Sequence, residues 1–345
     1  MTAAADAASA EPAPRPLRGR IDYLDGWRAV AVAIVIGSHL YMRIGGHSSD
    51  PGIGKLGVYV FFVLSGYIIA RLAFEERDRT GRIDWAAFYI RRALRILPPL
   101  VLFTFGALAL EGFSAAAFAQ AARALAFTCN IDVPPGCGWS FGHTWTLAFE
   151  EQFYLLFPAI FAVAWPRAAL TLPALAFAAL PAWWPLPWVG LAGFSQTYAL
   201  FALGILAARY DSRLDIGRMP ATLTTAAAVA ILVAGIVLPA WRAHPLYLVA
   251  QPILVAGVVL VTPRCWTPLR RLLEMAMLRH IGLWSYTLYL WQQLATAPRA
   301  GWLAWDYGLA VAGATGLAAL SYHSYERPFR ALTRRYRRTD RSRIL

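Results

Sequence analysis

The sequence predicts an all-α polytopic membrane bundle of about ten helices with both termini in the cytosol, and three observations carry that prediction. The 345 residues are 59% hydrophobic and 15% charged, with a mean hydropathy of +0.49, too apolar a balance for a soluble chain of this length. Apolar runs near the ~20-residue length that crosses a bilayer recur between Arg-rich, Gly/Pro or polar breaks. The basic residues then fall in alternate breaks, with most of them in 15–28, 71–95, 209–218, 264–279 and 327–343. That is the signature of the positive-inside rule, so the +13 net charge reflects topology and not a nucleic-acid surface.

Taken in order, residues 1–20 (MTAAADAASAEPAPRPLRGR) are Ala/Pro-rich with no apolar core and read as a disordered cytosolic tail, not a cleaved signal peptide. Spans are expected near 26–44, 55–73, 86–110, 142–164, 168–184, 190–208, 221–241, 245–262, 278–296 and 302–322. Pro98, Pro99 and Pro158 fall inside these runs and predict kinks. Residues 21–328 form one membrane unit with no internal repeat and no appended soluble domain, and 329–345 are a basic tail suited to anionic headgroups on the cytosolic face. Trp183, Trp184 and Trp188 are expected in the outer interfacial belt. Cys129 and Cys137 share an outer loop where oxidation is allowed, as a disulfide or as free thiols, and no Cys/His spacing suits a metal.

Polar groups within the spans are few, and each costs ~2.5 to 3.5 kcal/mol unless a partner, a cavity or a task offsets it. Arg28 and His39 are eleven residues apart on the first helix, three turns plus about 20°, so they share a face with ~16 Å between them. Glu150 on the fourth span is expected at a depth similar to that of His39. A neutral imidazole oriented by a carboxylate can take a proton from a hydroxyl, which makes His39 and Glu150 a candidate acid/base pair. The competing reading has His39 bonded to a backbone carbonyl and Glu150 paired with an arginine to hold helices together. Glu151, about 100° further round the helix, reads as orienting or structural. Asp25 reads as a helix N-cap.

In FYIRRALRILPPL, Arg92 and Arg95 share one face at the cytosolic end of the third span. With Arg91 and Arg28 they form either ordinary positive-inside anchoring or a cradle for the phosphates of a nucleotide-bearing donor. Ser65 and Gly66 in FFVLSGYII are either small residues for close helix packing or the border of a reaction cavity.

Together, LDGWRAVAVAIVIGSHL, FFVLSGYII, RRALRILP, WTLAFEEQFYLLFP, SYTLYLWQQ and YERPFR resemble, in order, the motifs of acyltransferase family 3 membrane proteins. The resemblance runs from Asp22 to Pro328. It implies that His39 is the essential histidine, that Glu150 belongs to the active centre, and that Arg28, Arg92 and Arg95 lie at the donor site. It also implies acyl-CoA, commonly acetyl-CoA, as donor substrate, and a glycan or glycosylated small molecule as acceptor at a bacterial-type cytoplasmic membrane. Two departures stand out: Gln292 follows Trp291 where many members carry His, and Thr146 stands where Ser is usual. The exported esterase-like domain of some members is not expected. The rival reading is a proton-coupled transporter using His39 and Glu150 as a relay.

Overall fold

The computed structural model describes residues 21–47, 52–131, 136–164, 191–210, 221–242 and 244–333, and all regular structure among them is helical. The elements are α1 (Asp22–Ile44), α2 (Ile53–Thr80), α3 (Trp85–Leu110), α4 (Ala115–Leu125), α5 (Trp139–Gly142), α6 (Trp145–Ala164), α7 (Leu191–Tyr210) and α8 (Ala221–Val237). They continue as α9 (Pro239–Arg242), α10 (Pro245–Ala256), α11 (Thr262–Cys265), α12 (Thr267–Leu273), α13 (Ala276–Ala295), α14 (Ala304–Ser321) and α15 (Arg327–Leu332). Two π turns, Gly257–Val261 and Tyr322–Glu326, lead into α11 and α15. α1, α2 and α3 are each long and apolar enough to cross a membrane, and Val249–Arg264 with Thr267–Leu273, bent by 97°, offers a fourth span. The chain thus has the character of an integral membrane protein.

Several boundaries differ from the sequence expectation for physical reasons. α1 begins at Asp22 because Tyr23 and Leu24 are core residues, so Asp25 lies in the first turn and Ile21 takes the cap position expected for it. α2 runs beyond its apolar stretch to Thr80, held by the Arg71–Glu75 pair at 2.9 Å and ended by Gly81 at φ +73°. The segment expected as a single helix over 142–164 breaks at His143 and Thr144 into α5 and α6. α4, which sequence reading left in a loop, starts on Ser114, whose hydroxyl accepts the amide N–H of Ala117. α3 remains helical through Pro98 and Pro99. The span expected at 168–184, the three tryptophans near it and residues 1–20 and 334–345 lie outside the described residues.

Two close crossings position the site. A Cβ on Gly66 would stand 2.3 Å from the Phe201 carbonyl oxygen and one on Gly204 2.4 Å from that of Val63, so α2 and α7 touch backbone to backbone. A Cβ on Gly282 would stand 2.0 Å from the Asp25 carbonyl oxygen, and this draws α13 onto α1. Asp22 and Arg279 close the same crossing at 3.1 Å. Cys129 and Cys137 form a disulfide, with Cα atoms 5.7 Å apart, just ahead of α5.

Candidate active site

The crossing of α13 on α1 sets a polar stripe of one helix beside the only histidine of the other. Ser285, Tyr289, Gln292 and Thr296 recur at helical spacing and are all buried. Gln292 is fully buried, and its amide oxygen lies 2.9 Å from Nδ1 of half-buried His39. The Gln292 amide nitrogen donates to the carbonyl of Tyr289 at 3.3 Å and to Oε1 of Gln293 at 3.4 Å, which fixes the amide oxygen as the group facing the imidazole. Nδ1 therefore carries the proton, and the lone pair resides on Nε2. Trp139 packs on the same ring with centroids 5.4 Å apart. Its indole donates to the Gln293 carbonyl at 2.9 Å, the Gln293 amide donates back to the Trp139 carbonyl at 2.8 Å, and Arg43 stacks on the indole at 4.0 Å.

Glu150 accepts the Ser65 hydroxyl at 2.5 Å and the Tyr154 hydroxyl. The orienting contact on His39 Nδ1 thus comes from Gln292, while Glu150 is held by α2 and by its own helix. Arg92 lies over the Tyr154 ring at 4.9 Å and so supports Glu150 at one remove. Glu151 lies off the cavities described below, with Oε1 buried and accepting no hydrogen bond. Gly66 faces α7, so of the adjacent pair only Ser65 borders a cavity.

Three cavities follow one another along α1. The first, about 320 Å³, opens at the arginine-rich end and is lined by Asp25, Arg28, Arg71, Glu75, Arg95 and Arg330, among others. The second is a waist of about 40 Å³ between Arg28, Ser65, Thr146, Glu150, Tyr286 and Tyr289. The third, about 540 Å³, lies at the disulfide-bearing end and includes His39, Lys55, Trp139, His143, Trp145 and Tyr289. Arg28 lines the first two, while Val58 and Tyr289 line the last two. Thr146 fits the waist because its hydroxyl meets the Tyr289 hydroxyl at 3.0 Å and the His143 carbonyl at 3.1 Å.

Arg330 is a member of the arginine cavity that sequence reading missed. The π turn at Tyr322–Glu326 points Glu326 inward, where it is fully buried, accepts the Thr287 hydroxyl and pairs with Arg330 at 2.7 Å. Burial, reinforced by the Arg95 charge beside it, holds the Arg330 guanidinium below its ordinary pKa. Arg95 and Arg330 also line an adjoining groove of about 270 Å³ with Arg91 and Arg92, where Arg91 pairs with Glu76 at 3.5 Å. The folded chain therefore runs past 328, and α15 belongs to the cavity wall. Of the expected arginine set, Arg28 and Arg95 share one cavity, and Arg92 sits one groove away.

Such a passage, with clustered guanidiniums at one end and an oriented imidazole at the other, can hold an anionic donor and accept a proton from a hydroxyl. Comparison with known proteins agrees with that chemistry. The O-acetyltransferase OatA of Staphylococcus aureus strain NCTC 8325 is 35% identical over 165 residues, 43% of this chain and 25% of the relative. A Staphylococcus aureus strain COL protein also named for O-acetyl transfer is 36% identical over 151 residues, 40% of this chain and 24% of the relative. The chain thus spans about a quarter of the length of these relatives. No solved structure matches the chain. A family model described as an acyltransferase domain matches residues 21–320, which take in every cavity wall named above except Arg330, and the chain belongs to that acyltransferase family.

Proposed function

We propose that the protein is an integral-membrane O-acyltransferase of a bacterial-type cytoplasmic membrane that moves an acyl group, most simply acetyl, from acyl-CoA to a hydroxyl of a carbohydrate-containing acceptor. The observation that carries this reading is the succession of three cavities along α1, the first lined by Arg28, Arg95 and Arg330, the second by Arg28 and Glu150 and the third by His39, with neighbours sharing lining residues. Acyl-CoA enters from the cytosolic end with its phosphates on Arg95, Arg330 and Arg28, and its thioester arm extends along α1 toward the waist. The acceptor comes from the opposite end. His39, with its proton held on Nδ1 by Gln292, removes the acceptor's hydroxyl proton through Nε2. The alkoxide attacks the thioester carbonyl, and the C–S bond breaks as the tetrahedral adduct collapses. CoA leaves as the thiol once the imidazolium returns a proton to sulfur. Glu150, held by the Ser65 and Tyr154 hydroxyls, supplies a carboxylate at the waist beside Arg28.

The test uses the full chain reconstituted in vesicles and supplied with labelled acetyl-CoA. The wild-type protein should release CoA and transfer label to added glycan, and His39→Ala should abolish both while the thermal transition is retained. Movement of protons or solute without any acyl donor would instead support a transporter.

A further inference from the structure

The cavity at the disulfide end has a one-signed lining. Lys55 and His39 face it, His143 lines it with both ring nitrogens buried and unpartnered, and no carboxylate borders it among the described residues. His143 is 5% exposed, packed between Phe103 and Tyr289 at ring-centroid distances of 5.2 and 5.3 Å, so its ring is fixed at the wall. Buried polar atoms are nearly always hydrogen-bonded, and an imidazole without any partner at a cavity wall points to a group absent from the chain itself. Arg43, which stacks on Trp139 and donates through Nε to the Thr296 carbonyl at 3.0 Å, lines a second, separate hollow of about 380 Å³ with Arg299 and His47, and no carboxylate borders that one either among the described residues. Lys55, Arg43 and Arg299 take part in no ion pair among the described residues. In the orientation of the proposed function, these cations stand on the side that the positive-inside rule depletes, so membrane topology does not account for them.

We propose that the acceptor entering this cavity carries an oxyanion, a phosphate or a carboxylate, close to the hydroxyl that is acylated, with Lys55 as its charge partner. The inference rests on the acyl-transfer reading for the word acceptor, but not for the binding itself. A lysine lining a cavity that no carboxylate borders among the described residues favours an oxyanion over a neutral sugar by a charge-assisted hydrogen bond. The walls of Trp139 and Trp145 offer apolar faces to the ring that carries it.

The test is calorimetric titration of the detergent-purified full chain, without acyl donor, using methyl glucoside, methyl glucuronide and glucose 6-phosphate. At least one anionic sugar should bind about five- to tenfold more tightly than the neutral one at low salt, and the margin should shrink at high salt. Lys55→Gln should reduce the margin, and Lys55→Arg should keep it. Which anion binds better separates phosphate from carboxylate chemistry. Equal affinity for all three sugars, no binding of either anion, or a margin unchanged by Lys55→Gln overturns the proposal. Because turnover is not read, a chain that fails to transfer acetyl can still pass or fail this test.

Discussion

The amide oxygen of Gln292 and Nδ1 of His39 meet at 2.9 Å across the α1–α13 crossing, 253 residues apart in the chain. This contact selects the imidazole tautomer, a task the sequence suggested for a carboxylate. Gln292→Ala is expected to lower kcat by about 10- to 100-fold with the KM for acyl-CoA unchanged. Gln292→His, which can still accept from Nδ1–H, should recover most of the loss. Steady-state kinetics of the two variants decides; equal losses in both would remove the orienting role.

Arg95 and Arg92 lie three residues apart and share the adjoining groove, but only Arg95 also lines the cavity that holds Arg28, so their variants should differ in kind. Arg95→Gln should raise the KM for acyl-CoA by about tenfold or more, the worth of a charge-assisted hydrogen bond. Arg92→Gln, acting through Tyr154 on Glu150, should lower kcat instead. Initial rates across a donor concentration series separate the two effects.

The Cys129–Cys137 bridge closes a short loop ahead of Trp139, which packs on His39. Its removal by Cys137→Ser should cost about 2–3 kcal/mol of stability on the chain-entropy account. Thermal unfolding with and without reductant checks the stability.

Gly282→Ala should lower the melting temperature, because its Cβ would collide with the Asp25 carbonyl oxygen; overpacking of this kind costs about 1–3 kcal/mol. Gly313→Ala on α14, where a Cβ meets nothing within 4 Å, is the matched control and should leave the transition in place.

Much of this arrangement was legible in the sequence. Helical periodicity alone put Arg28 and His39 on one face, and in the structure they line different cavities along α1. The polar stripe Ser285, Tyr289, Gln292 and Thr296 was also there to be read, yet Gln292 drew attention only for the histidine it replaces. Arg330 was hidden for a different reason: a π turn shifts the helical phase by one residue, so no regular period placed it beside Arg95. The partners of Glu150 were likewise out of reach. Ser65 arrives from another helix, and its position depends on how α2 packs against α7.

A waist of about 40 Å³ has room for only about one or two water molecules, and Arg28 stands beside it. Among the described residues the cavities along α1 thus narrow between two wider ends, and on the proposed reading the donor and acceptor entrances do not open into one wide aqueous bore. On that reading, an enzyme built this way would work across a bilayer without short-circuiting the electrochemical gradient that the bilayer sustains.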